Sequence, residues 1–281
     1  SGSKRKVMRR SARSVAPRLA AAGTNGARRL LSEGPPPRAV APSLTPPAAD
    51  PDDPLANPMA RLLEQNKQWA AAMRSSPAML KRMVQHKPKY LWIGCSDARV
   101  PANELLGEGA GEVFVHRNVA NLVVSTDVNL MSVIQYAVTA LKVSDIIVCG
   151  HYDCGGVRAA MRPTDHQPPL ENWLRNIRDV VWLHRDTVMQ IEDLEARYRK
   201  LVEVNTMQQS LNVFKTGAVQ RARVASRMDP TSKHTLPRVH AVVYDPLEGE
   251  LKPLSVDYKK LLKEQETVYQ LYQLPEHARK Q

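Results

Sequence analysis

Two short segments of this chain combine residue types that can do chemistry. One is Cys95-Ser-Asp97-Ala-Arg99, the other His151-Tyr-Asp-Cys154-Gly-Gly. Thiolate and imidazole are the ligands that zinc prefers, and three protein ligands leave one coordination position for water. A His and a Cys three residues apart on a turn can reach one ion if Cys95 arrives from a neighbouring element. Spacing alone leaves a second reading open, because strand-end cysteines often serve as small buried hydrophobes and a single histidine as a hydrogen-bonded core residue. Asp97 and Arg99 allow a bidentate carboxylate–guanidinium pair beside Cys95. The alternative for them is a surface ion pair of little worth.

The pattern around these segments predicts elements able to bring them together. Residues 90–95 form a short apolar run that ends at Cys95, and residues 145–149 form another that ends just before Gly150-His151. Further strands are expected over 112–116 and 238–244, with a short hairpin partner near 251–256. Apolar residues recur at helical spacing from Leu55 to Met73. Ser76-Pro77 and Thr126-Asp127 are helix starts, the second helix running to about residue 141. Gly155-Gly156 opens another helix, two long helical patterns cover 170–190 and 194–227, and a last helix begins near Asp257. Strands separated by helices predict an α/β fold with a mostly parallel central sheet flanked by helices, and with an N-terminal helical arm. In such sheets ligands gather beyond the carboxyl ends of the strands, which is where Cys95 and His151 fall.

Composition narrows the function classes. The chain has 281 residues and a formal net charge of +12. Residues 1–54 hold ten Lys and Arg against four Asp and Glu, so half of the excess lies in the first fifth. That stretch is rich in Arg, Ala, Ser and Pro, and is expected to be a basic extension that is disordered or targeting. It reads as a mitochondrial or plastid leader, and otherwise as a disordered basic tail or as a nuclear signal built on Lys4-Arg5-Lys6 and Arg9-Arg10. Residues 55–281 form the folded domain. Their positive charge is spread out, which disfavours nucleic acid as a partner. No run of about 18 apolar residues occurs, so membrane insertion is not expected. Three cysteines in a long chain do not read as a secreted disulfide framework. Cys149, inside an apolar run, reads as core.

Three motifs occur in order: Cys95-Ser-Asp-Ala-Arg99, His116-Arg117-Asn118-Val119-Ala120-Asn121, and Gly150-His151-Tyr-Asp-Cys154-Gly-Gly156. From about Pro88 to Tyr244 the chain resembles the β-class carbonic anhydrases. The resemblance implies that Cys95, His151 and Cys154 ligate one Zn2+ per subunit, with Asp97 and Arg99 as the family's catalytic dyad. It implies reversible hydration of CO2 to bicarbonate and a proton by a zinc-bound hydroxide, formed because zinc lowers the pKa of water to about 7. Alternatives on the same site are hydrolysis of carbonyl sulfide or carbon disulfide, and a low-activity zinc-bearing, bicarbonate-sensing subunit.

The resemblance carries further residues. The Gly155 N–H is similar to the family's donor to a substrate oxygen. Phe114, Val119 and Tyr136 match the lining of an apolar CO2 pocket, partly contributed across a dimer interface. His86 stands where the family often has Gln, and is a candidate proton shuttle. Trp92, Arg117 and Tyr244 resemble the bicarbonate-binding trio of one subgroup, in which the dyad Asp leaves its Arg and blocks the metal. A homodimer or homotetramer is implied, with the arm over residues 55–85 packing on a partner subunit. A mitochondrial matrix location is expected from the leader, with the cytoplasm as the alternative.

Overall fold

The computed structural model describes residues 58–265 and Thr267, so the expectations for residues 1–54 lie outside the described residues. Five strands build one sheet: β1 (Tyr90–Cys95), β2 (Val113–Asn118), β3 (Asp145–His151), β4 (Arg238–Asp245) and β5 (Glu250–Leu254). Their order is β2-β1-β3-β4-β5. The first four pair in parallel and β5 returns antiparallel to β4. The register places Cys95 opposite Asn118 and Gly94 opposite Cys149. Parallel neighbours end on the same side, so the carboxyl ends of β1, β2 and β3 share one rim of the sheet.

Both faces of the central strands are covered, which is why β1 and β3 read as near-continuous apolar runs. Leu91, Ile93, Ile146, Val148 and Val239 pack on one face with α4 (Val128–Tyr136), whose last turn widens into a π-turn at Ala137–Leu141, and with α9 (Gly217–Met228). Trp92, Ile147 and Cys149 pack on the other with Val100 and Ala102 at the start of α3 (Ala102–Leu106). The rim is enclosed by α5 (Gly155–Ala160), α6 (Leu170–Leu183) and α8 (Leu194–Lys215).

Several boundaries differ from the sequence expectation. The pattern over 170–190 breaks at His184 and resumes as α7 (Arg185–Val188). The pattern over 194–227 is interrupted at Thr216, whose extended backbone (φ −65°, ψ 139°) ends α8 and starts α9. The short α3, stopped by left-handed Gly107, was not expected. α1 (Pro58–Arg74) and α2 (Pro77–Val84) form the helical arm, with Ser76 capping α2 through the Met79 N–H. Neither buries a residue, and Met59, Leu62, Leu63, Trp69 and Met83 face outward. The last helix is α10 (Tyr258–Glu264), with Tyr258 stacked on Phe214.

Candidate metal centre

β1 delivers Cys95 to the rim, β3 delivers His151, and a tight turn brings Cys154 to the start of α5. Asp153 makes that turn with a left-handed backbone (φ 57°), a conformation Asp tolerates better than most side chains. The Sγ atoms of Cys95 and Cys154 lie 3.9 Å apart. One ligand atom from each of Cys95, His151 and Cys154 lies within 4.8 Å of the other two, and all three residues are buried.

The histidine is oriented for coordination. Its Nδ1–H donates to the Tyr152 carbonyl at 3.0 Å, which fixes the tautomer and leaves the lone pair on Nε2. Nε2 is buried and has no hydrogen-bond partner. An unpartnered acceptor beside two buried sulfurs is the environment a soft divalent cation satisfies. The two thiols are electrostatically unequal. A hydrogen bond from Cys154, against the upward push of burial and with help from His151 and backbone N–H groups including that of Ala120, brings Cys95 down to about 4. Cys154 is pushed up by its bond to Cys95 and by burial.

Asp97 faces this cluster, its Oδ2 lying 3.9 Å from His151 Nε2. Arg99 grips it with two prongs, Nε to Oδ1 at 3.0 Å and Nη2 to Oδ2 at 2.8 Å. The Arg99 backbone N–H adds a third bond at 2.9 Å. These bonds hold the Asp97 carboxyl well below the usual carboxylate range despite partial burial. Arg99 also donates to Asp153, through Nη1 to Oδ2 at 3.0 Å and through Nη2 to the carbonyl at 3.2 Å. Arg158 continues the chain, from Asp153 Oδ1 at 2.8 Å to the Glu195 carboxylate at 2.7 and 2.6 Å. Sequence reasoning found no role for Asp153. Its position between His151 and Cys154 was the only available signal.

A carbonic anhydrase family profile matches residues 90–251. A carbonic anhydrase of Emericella nidulans is 44% identical over 213 residues, covering 75% of this chain and 90% of that protein. One of the tetrameric β-carbonic anhydrase structures of the filamentous ascomycete Sordaria macrospora superposes with a TM-score of 0.63 at 33% identity, covering 71% of this chain and 98% of that one. This chain belongs to the β-class carbonic anhydrases. A mitochondrial β-carbonic anhydrase of Arabidopsis thaliana is 42% identical over 102 residues, covering 33% of this chain and 34% of that protein.

As a β-carbonic anhydrase, the chain is an enzyme for the reversible hydration of CO2 to bicarbonate and a proton. The structure sorts the remaining expected residues into three places. Val119 and Gly155 lie at the centre: a Cβ placed on Gly156 would come within 2.8 Å of Val119 Cγ1, while one on Gly155 would meet open space. His86, Phe114 and Tyr136 form an aromatic file elsewhere, with ring centroids 6.2 and 5.8 Å apart. Phe114 pairs with Leu91, four residues before Cys95, or about 13 Å back along the strand. Within one protomer this file is not brought to the sulfurs.

Trp92, Arg117 and Tyr244 occupy one face of the sheet. Trp92 is fully buried and its indole N–H has no partner. Tyr244 packs against the same cluster. Arg117 donates through Nε to the Cys95 carbonyl at 2.8 Å and through Nη2 to the Asp97 carbonyl. It thereby fixes the backbone on both sides of Ser96.

Proposed function

We propose that CO2 is hydrated at a single zinc ion held by Cys95, His151 and Cys154. The observation that carries this reading is the convergence of three buried ligand atoms within 4.8 Å, one of them an otherwise unpartnered imidazole nitrogen. When bound, zinc supplies the Lewis acidity that brings the ionisation of water to near pH 7. Asp97, ionised at neutral pH, accepts a hydrogen bond from the attacking water and aims its lone pair. Arg99 keeps that carboxylate paired and away from the ligand atoms. Val119 supplies apolar wall for CO2, and the Gly155 N–H, at the start of α5, is the donor to a substrate oxygen on this reading. The intact dyad favours this reading over a low-activity sensing subunit, and no feature among the described residues favours carbonyl sulfide or carbon disulfide. Metal content and stopped-flow CO2 hydration on one sample test it. One zinc per chain, with rate lost to a chelator and regained with zinc, is expected; undiminished hydration by metal-free protein would sink the proposal.

The working unit on this reading is a homodimer or homotetramer. Support comes from the uncovered apolar residues of α1 and α2 and from the aromatic file lying away from the sulfurs, which a second copy would bring to them. An active monomer under assay conditions, seen by light scattering, would contradict it. No helix among the described residues is long and apolar enough to cross a membrane. We place the enzyme in mitochondria, on the Arg-rich leader; a tagged full-length chain imaged elsewhere would refute this.

A bicarbonate site at Trp92, Arg117 and Tyr244 is a second proposal, favoured by the buried, unpartnered Trp92 N–H. An anion recruiting Arg117 would draw it off the Cys95 and Asp97 carbonyls and loosen the segment that carries the dyad. Inhibition by bicarbonate that survives unchanged in Trp92→Phe would rule this out.

A further inference from the structure

α8 carries four buried polar side chains, Asn205, Thr206, Gln209 and Ser210. A buried polar group is costly unless it is hydrogen-bonded. Thr206 and Ser210 return their hydroxyls to carbonyls of their own helix, those of Val202 and Met207. The two amides reach outward instead. Asn205 Nδ2 donates to the Ala120 carbonyl at 3.2 Å. Gln209 Nε2 donates to Asn205 Oδ1 at 2.9 Å, so the Asn205 nitrogen must face Ala120. Gln209 Oε1 accepts from the Val123 N–H at 2.8 Å, and Asn212 Nδ2 donates to the Val123 carbonyl at 3.1 Å.

The segment held this way contains a left-handed pair, Ala120 (φ 62°, ψ 29°) and Asn121 (φ 49°). That conformation is disfavoured for any residue with a Cβ and persists only when its surroundings impose it. In it, the Ala120 N–H reaches the Cys95 Sγ at 3.3 Å while its carbonyl turns to Asn205. On the other side Gly156 is close-packed, since a Cβ there would lie 3.2 Å from Ala120 Cβ. Ala120 is wedged from α5 and tethered from α8.

We propose that Asn205 is a positioning residue for the metal centre: it holds Ala120 left-handed so that the Ala120 N–H is delivered to the Cys95 sulfur, with Gln209 locking the Asn205 amide in its donating orientation. This rests on the zinc site proposed above. The N–H bond draws electron density from the sulfur and tempers its donation to the ion, as outer partners of metal ligands do.

The test uses full-length enzyme with cobalt in place of zinc, read by the sulfur-to-cobalt charge-transfer band. Asn205→Ala shifts the band to longer wavelength and weakens metal binding about 10-fold. Ala120→Gly alone leaves both nearly unchanged, and in that background the effect of Asn205→Ala shrinks, because glycine adopts the left-handed conformation without help. A merely structural role would lower the melting temperature and leave the band in place. Folded Asn205→Ala with unchanged band and affinity, or an equal effect in both backgrounds, overturns the proposal. If Asn205→Ala does not fold, Asn205→Ser, too short to reach Ala120, is read in the same way. A wild-type protein with no sulfur-to-cobalt band removes the zinc site itself, and the present proposal with it.

Discussion

Asp153 Oδ2 lies 3.0 Å from Arg99 Nη1, so the guanidinium that grips Asp97 is itself gripped from its other side. The dyad is therefore one end of an ionic chain that runs through Arg158 to Glu195 at the start of α8. Asp153→Asn keeps the left-handed turn but drops one charged acceptor. It is expected to lower kcat/KM about 10-fold, as loss of an outer partner typically does. Stability should fall by about 1 kcal/mol or less, because Asp153 and Arg99 are both about half exposed. Parallel stopped-flow and urea denaturation check both halves, and unchanged kcat/KM would remove Asp153 from the working dyad.

The Asp145 carboxyl is raised by burial, yet bonds from Arg238, Ser144 and His240 outweigh this and bring it down to about 2. A carboxyl lowered on folding stabilises the native state above its unfolded pKa of about 4, and that contribution fades as pH falls toward 2. Asp145→Asn should cost about 2 kcal/mol at pH 7, with the gap to wild type narrowing below pH 4. Urea unfolding at pH 7 and pH 3 measures it. A gap of equal size at both would show that packing, not charge, is responsible.

Cys149 is fully buried in β3, and burial pushes its thiol far above the ordinary range. Cys149→Ala is expected to keep metal and turnover, while Cys95→Ala and Cys154→Ala lose both. Metal analysis and initial rates on the three variants decide the matter.

His86 borders Phe114 and is exposed, and only a second copy would bring it to a metal centre. If it shuttles protons, His86→Ala should slow turnover in dilute buffer and be restored by added imidazole. Equal rates at all buffer concentrations would dismiss it.

The Cys95–His151–Cys154 cluster, the Asp97–Arg99 pair and the parallel strands were legible because each lies in a short segment whose chemistry is local. Cys95 and His151 end apolar runs, and Gly155-Gly156 marks a helix start. What escaped reading depends on distant partners. Asn205 and Gln209 look like solvent-facing positions in a helix, yet they are buried, because an irregular segment 80-odd positions earlier needs their amides. α8 accordingly lacks the apolar stripe that periodicity seeks. The stop at Thr216 had only one local mark, Gly217 directly after it, and the helical spacing that continues on both sides masks a single glycine. Asp153 was readable as a turn residue but not as the partner of Arg99, 54 positions away.

Cys95 and Cys154 are 59 positions apart in the chain. Sulfurs that share one ion close that stretch into a ring, as a disulfide would, and a ring of this size restrains the unfolded chain by about 4 kcal/mol. The ring encloses β2, α4 and β3, two of the sheet's four parallel strands. With zinc bound as proposed, stripping it would release this stretch, so chelation should broaden hydrogen exchange across these strands well beyond the rim.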